Sequence, residues 1–172
     1  FEDKVYKTLR RIKARYGVYM ALGNHEYIGG EIDRNLNFLS QANVQVLRDS
    51  ATLIDNTFYI IGRDDASRKY RNSLANITDR LDHTKPMIVL DHQPSGFEEA
   101  QKCGIDLLLS GHTHGGQVFP ISLVVKAVFK HSYGYHTANS THFYITSGLG
   151  IWGGKFRIGS RSEYVVINLQ GQ

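Results

Sequence analysis

A single cysteine, Cys103, stands among 172 residues, so no internal disulfide can staple the chain. The fold must rest on packing or on a metal, and Cys103 reads as a small apolar residue on a helix. Long apolar runs are also missing. The longest are stubs such as Val18-Tyr19-Met20-Ala21-Leu22, far short of the ~18 residues a membrane-spanning helix needs. No basic leader with an apolar stretch opens the sequence, and no signal peptide is visible. Repeats with a period of 20 to 50 residues and low-complexity tracts are absent too. What is present is 41% hydrophobic and 21% charged residues with only 3 prolines, a composition neither disordered nor fibrous. The length suits one domain with a real core.

The charge balance is modest. Twenty Lys and Arg against sixteen Asp and Glu give +4, and much of the excess lies in the first segment, at Lys4, Lys7, Arg10, Arg11, Lys13 and Arg15. A charged helical face is usually a solvated one, so the sequence does not favour nucleic acid as a partner.

Apolar spacing predicts a helix over 2–16 through Val5, Leu9, Ile12 and Tyr16, with Gly17 placed to cap it. A strand over 18–22 runs into a polar turn, Gly23-Asn24-His25-Glu26. Residues 31–41 read as helix, and 44–47 and 57–61 as strands. A short helix is expected around 73–77. Then comes a strand at 87–90, the turn Asp91-His92-Gln93-Pro94, a helix at 97–102, and a strand at 105–109 that enters Ser110-Gly111-His112-Thr113-His114-Gly115-Gly116-Gln117. Tyrosine- and β-branched-rich stretches at 133–137, 142–146 and 163–169 predict antiparallel strands. With no linker between the halves, the expectation is one mixed α/β domain over residues 1–172.

Eight histidines are present, and their placement carries the chemistry. Asn24-His25, His92, and His112 with His114 each follow a short apolar strand, and ligands collect beyond the carboxyl ends of strands in α/β sheets. Imidazole nitrogens and an amide oxygen converging there would suit Zn, Mn or Fe. Glycines flanking His112 and His114 supply the backbone freedom a tight ligand loop needs. His83, His131, His136 and His142 lack such a setting and read as ordinary packing or surface residues.

Gly23-Asn24-His25-Glu26, a strand ending in His92, and Gly111-His112-Thr113-His114 in that order resemble the signature of the calcineurin-like metallophosphoesterases. The run from Gly104 to Gln117, Ser147-Gly148-Leu149-Gly150 and the Arg157–Glu163 stretch resemble the bacterial YkuE-type branch. The resemblance implies a double β-sheet sandwich flanked by helices. It also implies a binuclear metal centre that hydrolyses a phosphomonoester or phosphodiester, with Mn, Fe or Zn as the metal. By position, Asn24, His92 and His112 would hold the second metal, and His114 would contribute to the first. His25 would face the phosphate as general acid, with Glu26 orienting it. Some members of that branch act on nucleotide-linked lipids or at the cell envelope, and many carry an amino-terminal anchor or export signal. The substrate class is therefore a small phosphate ester or a lipid.

Two family motifs are missing. No aspartate is followed two places on by histidine, and no Gly-Asp dipeptide occurs. Asp-x-His and Gly-Asp-x-x-Asp, which bind the first metal and bridge the pair, are therefore expected upstream of Phe1. Without the bridging carboxylate two cations would repel each other, so this chain should bind one metal at most and hydrolyse little or nothing. The alternative is a non-catalytic metal- or phosphate-binding portion that works through protein contacts. An unpaired sheet edge left by the missing strands would favour self-association. Asp64 and Asp65 sit where the branch also carries acidic residues; they either line the site or form a turn. Arg157 either meets an anionic substrate group or pairs with Glu163. Tyr133, Tyr135 and Trp152 either wall a pocket or pack.

Overall fold

The computed structural model describes residues 2–28 and 30–170, with side chains from Val5 onward; the expected Lys4 contribution to the basic face lies outside these. The elements run α1 (Glu2–Leu9), β1 (Val18–Ala21), α2 (Asn24–Tyr27), α3 (Ile32–Gln41), β2 (Val44–Leu47), β3 (Ser50–Ile54) and β4 (Phe58–Gly62). They continue with α4 (Leu74–Thr78), β5 (Met87–Leu90), α5 (Phe97–Lys102), β6 (Leu107–Ser110), α6 (Ile121–Val128), β7 (Gly134–Ala138) and β8 (Thr141–Ile145). A six-stranded mixed sheet has the order β3-β4-β5-β6-β8-β7. Its four central strands are parallel and its two edge strands antiparallel. β1 and β2 form a separate parallel pair, Val18 opposite Val44 through Ala21 opposite Leu47.

The parallel strands are short, β-branched or leucine-rich and buried, as sheets covered on both faces must be. One core joins Tyr59, Ile61, Met87, Val89, Leu108 and Phe143 of the sheet to Leu74 of α4 and Ala100 of α5. A second packs Leu22, Leu39, Ala42 and Val44 beneath α1 and α3. The two strand sets meet where Leu47 of β2 lies on Gly62 of β4. A Cβ at position 62 would fall 2.2 Å from Leu47 Cβ and 2.7 Å from its carbonyl oxygen. Gly62→Ala should therefore cost about 1–3 kcal/mol, the usual toll of overpacking against backbone, read as a lowered urea midpoint with an unchanged slope.

Several expectations are corrected. The first helix stops at Leu9 rather than Tyr16: Ile12 is exposed, and Tyr16 turns away to meet the Phe58 ring edge to face, with centroids 6.4 Å apart. The Gly23–Glu26 turn is the start of a four-residue helix, closed by Glu26 Oε2 accepting the Gly23 N–H at 2.6 Å. β3 was not expected; it pairs with β4 through Asp55-Asn56, both at positive φ (48° and 54°), as a tight right-twisted hairpin requires. α6 was not expected either. Residues 163–169 form no strand: alternating apolar side chains do not suffice when no neighbouring strand, among the described residues, offers a hydrogen-bonding ladder. The antiparallel portion behind Lys130 thus reduces to the β7–β8 hairpin, which joins the sheet through β8 parallel to β6.

Candidate metal centre

The polar turns after β1, β5 and β6 meet at one end of the strands. His92 Nε2 lies 3.1 Å from Asn24 Oδ1 and 3.1 Å from His112 Nδ1. The two imidazoles meet edge to face, with ring centroids 5.0 Å apart. Two ring nitrogens and an amide oxygen therefore turn their polar atoms to one point. Among the described residues no three His, Cys, Asp or Glu side chains do so; the convergent set contains an amide in place of a third charged or imidazole group. His114 lines the same cavity and keeps a buried Nδ1 without a hydrogen-bond partner. An orphaned imidazole nitrogen beside a nitrogen–nitrogen–oxygen cluster fits a borderline divalent cation such as Zn, Mn or Fe.

The backbone is strained to achieve this. His112 and His114 both take positive φ, 66° and 53°, a region non-glycine residues enter at a cost of order 1–3 kcal/mol. The left-handed turn thus falls on the histidines themselves as well as on Gly115 and Gly116. Close approach also needs Gly23, since a Cβ there would stand 2.8 Å from the His92 ring.

His25 is exposed on α2 at the cavity mouth. Glu26 fixes the turn that carries it, through the Gly23 N–H. Asp65 is fully buried and accepts from the Ser67 N–H at 2.9 Å and from Gln93 Nε2 at 3.2 and 3.3 Å. Burial pushes its carboxyl up, but the Ser67 and Gln93 hydrogen bonds outweigh this and hold it below the usual carboxylate range. It braces the residue next to His92 rather than facing an open cavity. Asp64 accepts from the Tyr27 hydroxyl, and from Arg48 at 3.2 Å; burial and that bond push the Tyr27 hydroxyl up to about 12.

Arg157 does not pair with Glu163 as expected. Its guanidinium donates to the carbonyls of His114 (3.0 Å), Ser147 (2.7 Å) and Gly150 (2.6 Å). Glu163 instead accepts from the Ser147 N–H, Thr146 and Tyr133. Both therefore brace the loops behind the histidines. Gln117 had no role in the sequence reading. Its amide clamps the Trp152 segment by donating to the Trp152 carbonyl at 2.6 Å and accepting the Trp152 N–H at 2.7 Å. Trp152 consequently lines the cavity, whereas Tyr133 and Tyr135 bond Glu163 and His142. Asp91 was also missed. It is buried between Arg63 (3.5 Å) and Arg71, directly before His92.

Burial, then the neighbouring His112, lowers His92 from its ordinary value to about 4; burial lowers His112 and His114 as well. In the unfolded chain these groups titrate near ~6.5. As pH falls from about 6.5 towards 4, the unfolded state binds protons that the folded state refuses, so stability falls. The urea midpoint of the metal-free chain should drop steadily between pH 7 and 5. A His92→Gln variant should show a shallower drop; equal slopes would contradict the assignment.

The cavity beside the cluster has a volume of about 490 Å³, with the polar turns on one wall and Val118, Ile121, Val125, Phe129, Trp152 and Phe156 on the other. A mixed α/β sheet with imidazole and amide donors at the carboxyl ends of its strands defines the architecture of a candidate metal site. Comparison with known proteins gives the narrower assignment: residues 1–116 match the model of the calcineurin-like phosphoesterases, and the chain belongs to that family. It is 37% identical over 171 residues to an uncharacterized metallophosphoesterase of Campylobacter jejuni, covering 95% of this chain and 45% of the relative. An uncharacterized metallophosphoesterase of Aquifex aeolicus is 33% identical over 178 residues (99% of this chain, 67% of the relative). YkoQ of Bacillus subtilis, also an uncharacterized metallophosphoesterase, is 34% identical over 169 residues (91% and 61%). The chain spans about half the length of several of the curated relatives it matches. No solved structure matches it.

Proposed function

We propose that Asn24, His92 and His112, with His114 beside them, hold a divalent cation (Mn, Fe or Zn), and that the protein they serve hydrolyses a phosphomonoester or phosphodiester. The single observation that supports this is the approach of Asn24 Oδ1 and His112 Nδ1 to His92 Nε2, each at 3.1 Å. When bound, such a cation supplies charge stabilisation for a phosphoryl group and acidifies water. His25, exposed at the mouth of the cavity, is placed to give a proton to a leaving oxygen. Glu26 holds the α2 turn that presents it. Arg157 and Glu163 keep the loop behind His114 from relaxing, and the apolar wall limits water beside the phosphate. That wall also suits a substrate with an apolar portion, a lipid or a small ester alike.

The 172-residue chain binds one cation at most and turns over little. Its converging donors are all neutral, and the buried carboxylate nearby, Asp65, is committed to Ser67 and Gln93. In the complete domain a second cation and carboxylates from the two absent motifs would finish the centre. The same neutrality favours a second reading, a non-catalytic metal- or phosphate-binding portion. Titration with manganese and with zinc, followed by assay on an aryl phosphate monoester and diester, tests both. The expected result is binding without robust turnover by this chain, and turnover once the missing carboxylates are supplied. Robust turnover by the chain alone would overturn its inactivity. Failure to bind either cation would overturn the metal reading. Binding without turnover in the completed domain would select the second reading.

A further inference from the structure

Between Asp106 and Glu163 the sequence contains no acidic residue, yet carries five Lys and Arg. All sixteen acidic residues lie outside that stretch, against the remaining fifteen basic ones, so the stretch has a second concentration of positive charge besides the basic first segment. The same stretch also exposes a cluster of large apolar side chains. Phe119, Leu123, Val124 and Val128 are 56–70% exposed on or beside α6, and Trp152 and Phe156 are 61% and 57% exposed. These groups are one surface. The Gln117 clamp holds Trp152 to the histidine loop, and Phe119 N–H bonds the Ile158 carbonyl at 2.8 Å. Ile121 and Val125 of α6 share the cavity wall with Trp152 and Phe156. Lys126 and Lys155 are exposed within it, and no acidic side chain lines the cavity.

We infer that this face docks on a lipid bilayer carrying anionic headgroups, with α6 lying in the interface and the cavity opening towards the headgroups. Exposed apolar patches with a polar rim mark interaction surfaces. A short apolar helix, a tryptophan and lysines without acidic neighbours are the chemistry of an interfacial anchor rather than of a protein core. Among the described residues no helix is long and apolar enough to cross a membrane, so the contact is one of lying on the surface. A second copy of the chain fits the face less well: a two-fold contact would bring Lys126 and Lys155 of both copies into one interface with no carboxylate in the 107–162 stretch to answer them.

The chain has one tryptophan, Trp152, which makes the test direct and independent of metal or turnover. The metal-free chain is mixed with phosphatidylcholine vesicles with and without phosphatidylglycerol, and emission and co-sedimentation are followed. The expected result is a blue shift, quenching by acyl-brominated lipid, and pelleting that needs phosphatidylglycerol and weakens with salt. Lys126→Gln with Lys155→Gln should reduce partitioning by at least about tenfold. Leu123→Asp with Val124→Asp, neither of which lines the cavity, should abolish it while the circular dichroism spectrum stays unchanged. No pelleting and no emission change would overturn the proposal. So would pelleting without quenching, which is surface charge alone, and so would a concentration-dependent dimer whose Trp152 ignores vesicles.

Discussion

Replacing His112 by alanine should weaken binding of zinc or manganese by about 100-fold or more, since even partners that merely orient metal ligands cost 10–100-fold when removed. His92→Ala should do the same, because its Nε2 is the atom to which both Asn24 and His112 turn. The effect is separable from folding. At position 112 alanine inherits the strained positive φ of the histidine but leaves a cavity wall rather than a core void, so the urea midpoint should change little. Gly23→Ala probes the same geometry without touching a donor: its methyl would displace the His92 ring and lower affinity while all donors remain. His131→Ala, remote in role, is the control. Isothermal titration of the four variants against the parent chain measures this, and equal affinities for all would contradict it.

Asp91→Ala should be among the most destabilising single changes in the chain, by about 3–5 kcal/mol in urea unfolding. Asp91 is 1% exposed. Burial pushes its carboxyl up from the ordinary value, while Arg71 and Arg63 pull it down. Arg63 also reaches Glu99 at 3.0 Å, so the network ties β4, the turn after β5 and α5 together. Removing Asp91 strips the carboxylate from the Arg71 guanidinium and leaves Arg63 with Glu99 alone. Changing Asp91, Arg63 and Arg71 together to apolar residues of similar volume should recover most of the loss, because a buried ion pair owes its apparent worth largely to the penalty of orphaning one partner. Failure of the triple variant to recover would mean the network fixes backbone geometry that packing cannot.

Much of the fold was legible from local pattern. β2, β5 and α5 fall where apolar runs and periodicity put them, and α4 begins at Ser73, whose side chain caps it by accepting the Asn76 N–H. The Asp55-Asn56 turn was a readable hairpin signal that would have found β3. α1 and residues 163–169 failed for one reason: propensity and alternation describe a segment, whereas Ile12 and Val166 needed a neighbour to cover them. α6 escaped because it is apolar on faces that nothing among the described residues buries.

At the site, the placement of Asn24, His92, His112 and His114 after strands was legible, because strand ends are local and parallel strands align them. Partnerships were not. Asp65 with Gln93, Arg157 with four carbonyls, and Asp91 with two arginines link residues up to 43 positions apart, and only tertiary packing decides them.

The imidazole resonances of all eight histidines, followed by two-dimensional NMR during a zinc titration, test the convergence itself. The account predicts that His92 and His112 shift together and saturate at one equivalent, with His114 moving alongside and His83, His131, His136 and His142 unmoved. Shifts at those four while His92 and His112 stay still would contradict it.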